Sequence, residues 1–422
     1  MTTILLHGAG KEAAAAAAHF AGQGITPLLY VDGKGDIIGT KSVTLEEALN
    51  ALTGALYLRS PGVKPDNPLA AEAGQRAELA TTPTGYWLQE HAPAGTITVT
   101  GTKGKSTTTA LLTALLQAAG IESNAYGNIG SPPLNTTPVT ESHPVVEVSS
   151  YMMHDLPETD HLHVVTSLFK EHTDWHGSEE AYRSAKLRPF RRDRPARGVA
   201  PRAVIEQEAL PPSVFSAEDR VRDDGHGFLI GSTKIDTGSR TLGFHEGPLR
   251  AALRLSLAAA SEIVSAQDLV DATRQTVSAW RGLPSRQYIL PTSDDRVWVD
   301  DALATIPEAT IAALDRFCDR SVRLIVGGAD RGQDFRGLLE ALEARNDHYA
   351  FAFGPISPKL QSLKVAHMTS FEAAIKEAAA CCPADGVILF SPSAPSSAPF
   401  HNFEERSSLF ASASRSAHTP SS

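Results

Sequence analysis

The run Thr98-Val99-Thr100-Gly101-Thr102-Lys103-Gly104-Lys105-Ser106-Thr107 sets two glycines, two lysines and a line of hydroxyls within ten consecutive positions. Thr96 to Val99 is β-branched and reads as a buried strand, and Thr107 to Ala119 reads as a helix. A glycine turn between strand and helix directs backbone N–H groups of Gly101, Thr102, Lys103, Gly104 and Thr107 at a phosphate chain. Lys105 would reach the β- and γ-phosphates, and the Ser106 hydroxyl would face a magnesium ion. The spacing departs from the usual P-loop, because Val99 stands where the first glycine is expected.

Four further residues have the chemistry that phosphoryl transfer needs. Glu147 ends a strand candidate, Val145 to Val148, where a carboxylate can share magnesium with Ser106; the alternative is an ordinary N-cap for the helix at Tyr151. His172, in Glu171-His172-Thr173-Asp174, follows the strand candidate Val164 to Ser167 and could ligate a second cation or be structural. Lys186 lies in a helix expected over Ser178 to Phe190. A lysine beside magnesium is repelled unless neutralised, and a carbamate would turn it into an anionic oxygen ligand. Asn128, in Gly127-Asn128-Ile129-Gly130, offers a loop amide to a phosphoryl oxygen.

The elements that must position these groups alternate strand and helix. At 422 residues the chain exceeds one ordinary core. Residues 1–85 carry strands at Thr3 to Leu6, Pro27 to Asp32 and Leu56 to Arg59, with Gly8-Ala9-Gly10 opening an alanine-rich helix. That is half of a dinucleotide-fold pattern, and its glycine turn either touches a phosphate or is merely structural. Residues 86–281 hold the P-loop, and Gly282-Leu283-Pro284 opens a third region, 282–410. The expected fold is α/β in three domains: Rossmann-like, a P-loop domain with a mixed or parallel sheet, and Rossmann-like again. The serine-rich tail 411–422 is expected to be disordered.

Composition narrows the class. A formal charge of -10 argues against general nucleic-acid binding, and the basic run Lys186 to Arg202 reads as a solvated loop. No apolar run approaches the roughly 18–20 residues of a membrane span, and no basic segment precedes a hydrophobic stretch at the N-terminus, so a cytoplasmic location is expected. Three cysteines make neither a disulfide framework nor a metal pattern, and Cys381 and Cys382 read as packed thiols at a helix end.

Val99 to Thr107, Gly127 to Gly130, Glu147 to Tyr151, Glu171 to His176 and Ala185-Lys186-Leu187 together resemble the Mur ligase family over nearly the whole chain. Gly282 to Arg286, Gly327 to Phe335, and Ser391-Pro392 through Asn402-Phe403 to Arg406 resemble its glutamate-adding branch. The resemblance implies ATP and two magnesium ions, one on Ser106 and Glu147, the other on His172 and a carbamylated Lys186. It places Asn128 and Lys105 at the γ-phosphate, and Arg286 and Asp301 on the phosphates and ribose. Thr305, Arg331, Ser396 and Phe403 would form the glutamate pocket, and Asp32, Ser60 and Gly62 would hold the uridine diphosphate part of UDP-N-acetylmuramoyl-L-alanine.

The resemblance further implies a monomer working in peptidoglycan precursor synthesis. Leu58 to Gly62, Asp330-Arg331-Gly332 and Ser391 to Ser396 resemble the members that add L-glutamate, whose product a downstream epimerase inverts. D-glutamate is the alternative. Two departures stand out. Gly247-Pro248-Leu249-Arg250-Ala251 replaces the usual His-Asn-x-x-Asn, so weaker ATP binding is expected. Asp301-Ala302-Leu303 lacks the lysine of the D-glutamate ligases. A nucleotide-binding paralogue with impaired catalysis, or a ligase for a different carboxylate, are the competing classes.

Overall fold

The computed structural model describes residues 2–136, 142–237, 244, 247–292 and 295–416. It divides into two compact units, Met1–Ala279 and Trp280–Ser422.

The first unit begins with a parallel sheet of β1 (Ile4–His7), β2 (Leu28–Tyr30), β3 (Lys41–Ser42), β4 (Leu56–Arg59) and β5 (Leu79–Thr81), in the order β3-β2-β1-β4-β5. β1 and β4 are buried along their whole length, as expected for central strands covered on both faces. A second parallel sheet holds β6 (Ile97–Thr100), β7 (Ala125–Gly127), β8 (Val145–Glu147), β9 (Leu162–Val165), β10 (Gly198–Ala200) and β11 (Val214–Ser216). Its order, β11-β10-β9-β6-β8-β7, puts β6 between β8 and β9. The C-terminal ends of those three strands therefore meet, and ligands bind at that edge of an open α/β sheet.

One core joins the two sheets: Leu6, Phe20 and Leu58 pack in the same cluster as Trp87, Val146 and Met153. The boundary expected at 85/86 falls inside the helix Pro83–Glu90. A small antiparallel sheet, β12 (Arg222–Asp223), β13 (Gly227–Ile230) and β14 (Thr233–Asp236), was not foreseen.

The second unit is a six-stranded sheet of β15 (Tyr288–Ile289), β16 (Val297–Asp300), β17 (Val322–Gly327), β18 (His348–Phe353), β19 (Val365–His367) and β20 (Val387–Phe390). Its order is β15-β16-β20-β17-β18-β19, parallel except for the edge strand β15.

Three expectations are corrected. Residues 411–416 complete the helix Phe403–Ser416, where Phe410 is buried among Trp298 and Phe390; only 417–422 lie outside the described residues. Cys381 is exposed while Cys382 is buried, because the helix Phe371–Cys381 ends between them. The basic run is a solvated loop only over residues 191–197, where Arg191, Arg194 and Arg197 are exposed; it is flanked by helix and strand, and Arg188 and Arg192 donate to the carbonyls of His154, Leu156 and Pro157.

Candidate functional site

The P-loop follows β6 directly. Gly101 has φ 143°, and a Cβ there would lie 2.0 Å from the Thr166 hydroxyl, so the loop closes against the end of β9 without a side chain. Gly104, at φ 86°, is the N-cap of the helix Lys105–Ala118, which starts two residues earlier than expected and brings Lys105 and Ser106 into its first turn. The Leu111, Leu112, Leu115 and Leu116 side chains bury the other end of that helix. Lys105 Nζ donates to the carbonyls of Gly101 (3.0 Å) and Thr102 (2.9 Å), so the ammonium lies over the loop. Thr102 is buried and hydrogen-bonded with the Tyr182 hydroxyl at 2.8 Å, while exposed Lys103 pairs with Glu171.

Glu147 ends β8 and is 1% exposed. Gly127, at φ 88°, lets β7 turn so closely that a Cβ would sit 2.3 Å from the Glu147 carbonyl. That approach lets Asn128 bond Glu147 twice: its amide donates to the backbone carbonyl (2.9 Å), and its Nδ2 to Oε1 (2.8 Å). Glu147 Oε2 is buried and has no hydrogen-bond partner among the described residues. The cap of the next helix, Ser150–Met153, is Ser149, which accepts from the Met152 amide, so Glu147 is not an N-cap. A buried anionic oxygen left unpaired is costly. The donor set fits magnesium, which takes one or two carboxylates and completes its shell with phosphate and water oxygens. Among the described residues no cluster of three or more His, Cys, Asp or Glu forms an all-protein cage.

Lys186 is also 1% exposed; its Nζ donates to the Gly101 carbonyl at 2.6 Å and lies 5.1 Å from the centre of the Tyr182 ring. Burial, followed by the nearby Lys105 charge, holds the Lys186 ammonium well below its ordinary pKa. Ser178 caps its helix, Glu179–Leu187, by accepting from the Ala181 amide, as its sequence indicates. His172 adopts φ 53°, and its Nδ1 is hydrogen-bonded with the Tyr151 hydroxyl at 3.0 Å. Its Nε2 lies 3.7 Å from Glu171 Oε2, so the ring sits between a hydroxyl and a carboxylate.

A cleft of about 540 Å³ collects Lys105, Asn128, His172 and Lys186 together with Ser60 and Gly62. Tyr151, Tyr182 and Glu12 also line it and were not singled out from the sequence. Glu12 is buried and accepts from the Thr84 amide and hydroxyl, and burial raises its pKa. Nothing local marks such a residue. Asp32 lies beyond the end of β2, where it accepts from His7 Nε2 (2.7 Å), the Tyr30 hydroxyl (2.9 Å) and Asn67 Nδ2 (3.0 Å).

In the second unit, Arg286 and Arg331 are exposed, and Thr305 and Ser396 are half-buried. Phe403 packs against the core of the sheet. Asp301 is buried with both carboxyl oxygens engaged: Oδ1 by the Gln287 amide (3.1 Å), Oδ2 by the Ser391 hydroxyl (2.8 Å). Burial pushes its pKa up to about 7.

At the segment without the usual asparagines, Pro248 and Ala251 are exposed. Arg250 is buried and acts as a clamp, gripping Asp223 with two guanidinium nitrogens and donating to the Gly227 and Phe244 carbonyls.

The sequence matches the Mur ligase middle domain over residues 99–206. The UDP-N-acetylmuramoyl-L-alanine--L-glutamate ligase of a Micromonospora species is 33% identical over 98% of this chain and 96% of its own length. The ligase of that name from Xanthomonas euvesicatoria is 30% identical, covering 97% and 94%. Among solved structures, a MurF ligase from Thermotoga maritima in complex with ADP aligns with a TM-score of 0.58 at 16% identity, over 98% of this chain and 95% of that one. A bifunctional folylpolyglutamate synthase/dihydrofolate synthase from Yersinia pestis, complexed with AMPPNP and Mn ion, aligns with a TM-score of 0.54 at 19% identity, over 83% and 99%. These two likenesses concern the fold.

Proposed function

From the premise that this chain belongs to the Mur ligase family, we propose that it joins L-glutamate to UDP-N-acetylmuramoyl-L-alanine at the expense of ATP. The observation that carries the reading is the meeting of Lys105, Asn128, His172 and Lys186 in one cleft, with the orphaned Glu147 oxygen held behind Asn128. The names of the relatives, which cover nearly the full chain, support the choice of substrates.

The acceptor carboxylate attacks the γ-phosphorus of ATP, ADP leaves, and an acyl phosphate forms. The glutamate amine then attacks the acyl carbon, and phosphate departs with the electron pair of the broken bond. Divalent cations, when bound, neutralise charge on the transferring phosphoryl group. Ser106 and Glu147 would hold one, and His172 and Lys186 the other. Lys105 leaves its two carbonyl partners to follow the phosphoryl oxygens, and Asn128 orients Glu147. Arg286 and Asp301 would meet the nucleotide, and Thr305, Arg331, Ser396 and Phe403 would receive glutamate.

Lys186 serves as a ligand once its neutral nitrogen has added to carbon dioxide, forming an N–C bond and releasing one proton. Burial, and then the Lys105 charge, favour the neutral form of that nitrogen. No helix among the described residues is long and apolar enough to cross a membrane, and we place the reaction in the cytoplasm, on a monomer, with an epimerase acting on the product.

Phosphate release with UDP-N-acetylmuramoyl-L-alanine and each glutamate enantiomer tests the reading. A higher kcat/KM for L-glutamate is expected. A preference for D-glutamate reverses the assignment, and no release with either enantiomer leaves a nucleotide-binding paralogue.

A further inference from the structure

Arg59, the last residue of β4, is 2% exposed and has no part in the reaction as written. Its NH1 donates to the carbonyls of Pro61 (3.1 Å) and Val63 (3.0 Å), inside the turn that lines the cleft. Its NH2 donates to the Tyr151 carbonyl at 2.7 Å, and its Nε pairs with Asp155. The guanidinium lies 5.3 Å from the centre of the Trp175 ring. The Trp175 indole N–H donates to the Gly62 carbonyl (3.3 Å), and Lys64 Nζ donates to the Asp174 carbonyl (2.9 Å). One buried cation thus ties the Ser60–Gly62 turn to the two segments that carry Tyr151 and His172, which are themselves hydrogen-bonded.

We propose that Arg59 is a positioning residue that sets the acceptor-holding turn at a fixed separation from the Tyr151–His172 pair. The inference rests on reading the cleft as the acceptor site. A planar fork can donate in several fixed directions at once while stacking on an indole; a lysine ammonium cannot do both. Loosening it lets the turn and the histidine drift apart, and a misplacement of about 1 Å costs on the order of a hundredfold in rate when groups must meet in line.

The test uses the full chain with Arg59→Lys and Trp175→Phe, the latter removing the N–H to Gly62 while leaving an aromatic ring beneath the guanidinium. Four quantities are measured: KM for acceptor, KM for ATP, kcat, and the dissociation constant of UDP-N-acetylmuramoyl-L-alanine without nucleotide or metal. Arg59→Lys is expected to weaken acceptor binding about tenfold and to lower kcat, with KM for ATP within about twofold of wild type. Trp175→Phe shifts the same quantities less.

Unchanged acceptor binding in Arg59→Lys overturns the proposal, as does an equal loss of acceptor and ATP affinity with a lowered melting temperature, which marks a structural role. If Arg59→Lys does not fold, unchanged acceptor binding in Trp175→Phe overturns it. Failure of the wild-type protein to bind the acceptor sinks the functional reading and this inference together, and it is distinguishable from an active wild type beside an unaffected variant.

Discussion

Lys105 and Lys186 donate to the same oxygen, the carbonyl of Gly101, at 3.0 and 2.6 Å. Two ammonium groups on one acceptor repel, and the buried one gives up its proton first. Burial first, and then the nearby Lys105 charge, hold Lys186 well below the usual lysine range.

Lys186→Ala is expected to lose on the order of a hundredfold or more in kcat, because a ligand for the cation disappears. Millimolar acetate should restore part of the activity by filling the vacated position. Isotopically labelled bicarbonate should show a carbamate signal in the wild type that the variant lacks. Full activity of Lys186→Ala without additive removes the ligand role.

Glu147→Gln preserves shape and the bond from Asn128 but removes the anionic oxygen. Metal affinity in the presence of ATP should fall about 10–100-fold. The melting temperature of the metal-free protein should not fall, since the uncompensated carboxylate oxygen is a cost to the fold rather than a support. A stable variant with unaltered metal affinity would place the cation elsewhere.

Burial pushes the Asp301 carboxyl up to about 7, well above the ordinary aspartate range. A raised acid stabilises the fold fully below the unfolded pKa, and that support is lost as pH rises through the folded value. Asp301→Asn should therefore gain stability relative to wild type between about pH 4 and pH 8, by up to a few kcal/mol. Chemical denaturation of both proteins across this range checks it. A constant difference between them would mean that Asp301 is ionised throughout.

Arg250→Met should destabilise the first unit by about 2–3 kcal/mol, because Asp223 and two carbonyls lose their donors. Urea titration reads this directly. ATP binding is expected to be weaker than in relatives with asparagines at the places of Pro248 and Ala251, and a low-micromolar apparent constant for ATP would count against that.

The sequence by itself determined the pieces whose signals lie within a few residues. The β-branched run at Ile97–Thr100, the glycines at 101 and 104 and the helix from Lys105 follow from buried-strand pattern and turn chemistry. Ser178 as an N-cap was likewise legible, because a hydroxyl accepting from the third amide onward is a local bond. Membership of the family came from motifs of that kind strung in order.

Tertiary structure alone decided which charged groups share a site. Lys186 reaches Gly101 across 85 positions because β6 lies between β8 and β9. Strand order is set by burial and crossover geometry rather than by any window of sequence. The same holds for the Arg59 fork, for Arg250 clamping an antiparallel sheet that no local pattern announced, and for Asp301, whose pKa follows from burial. The helix through Ser416 is the converse case: its serines read as a disordered tail, but Phe410 between Trp298 and Phe390 supplies apolar burial that propensity does not register.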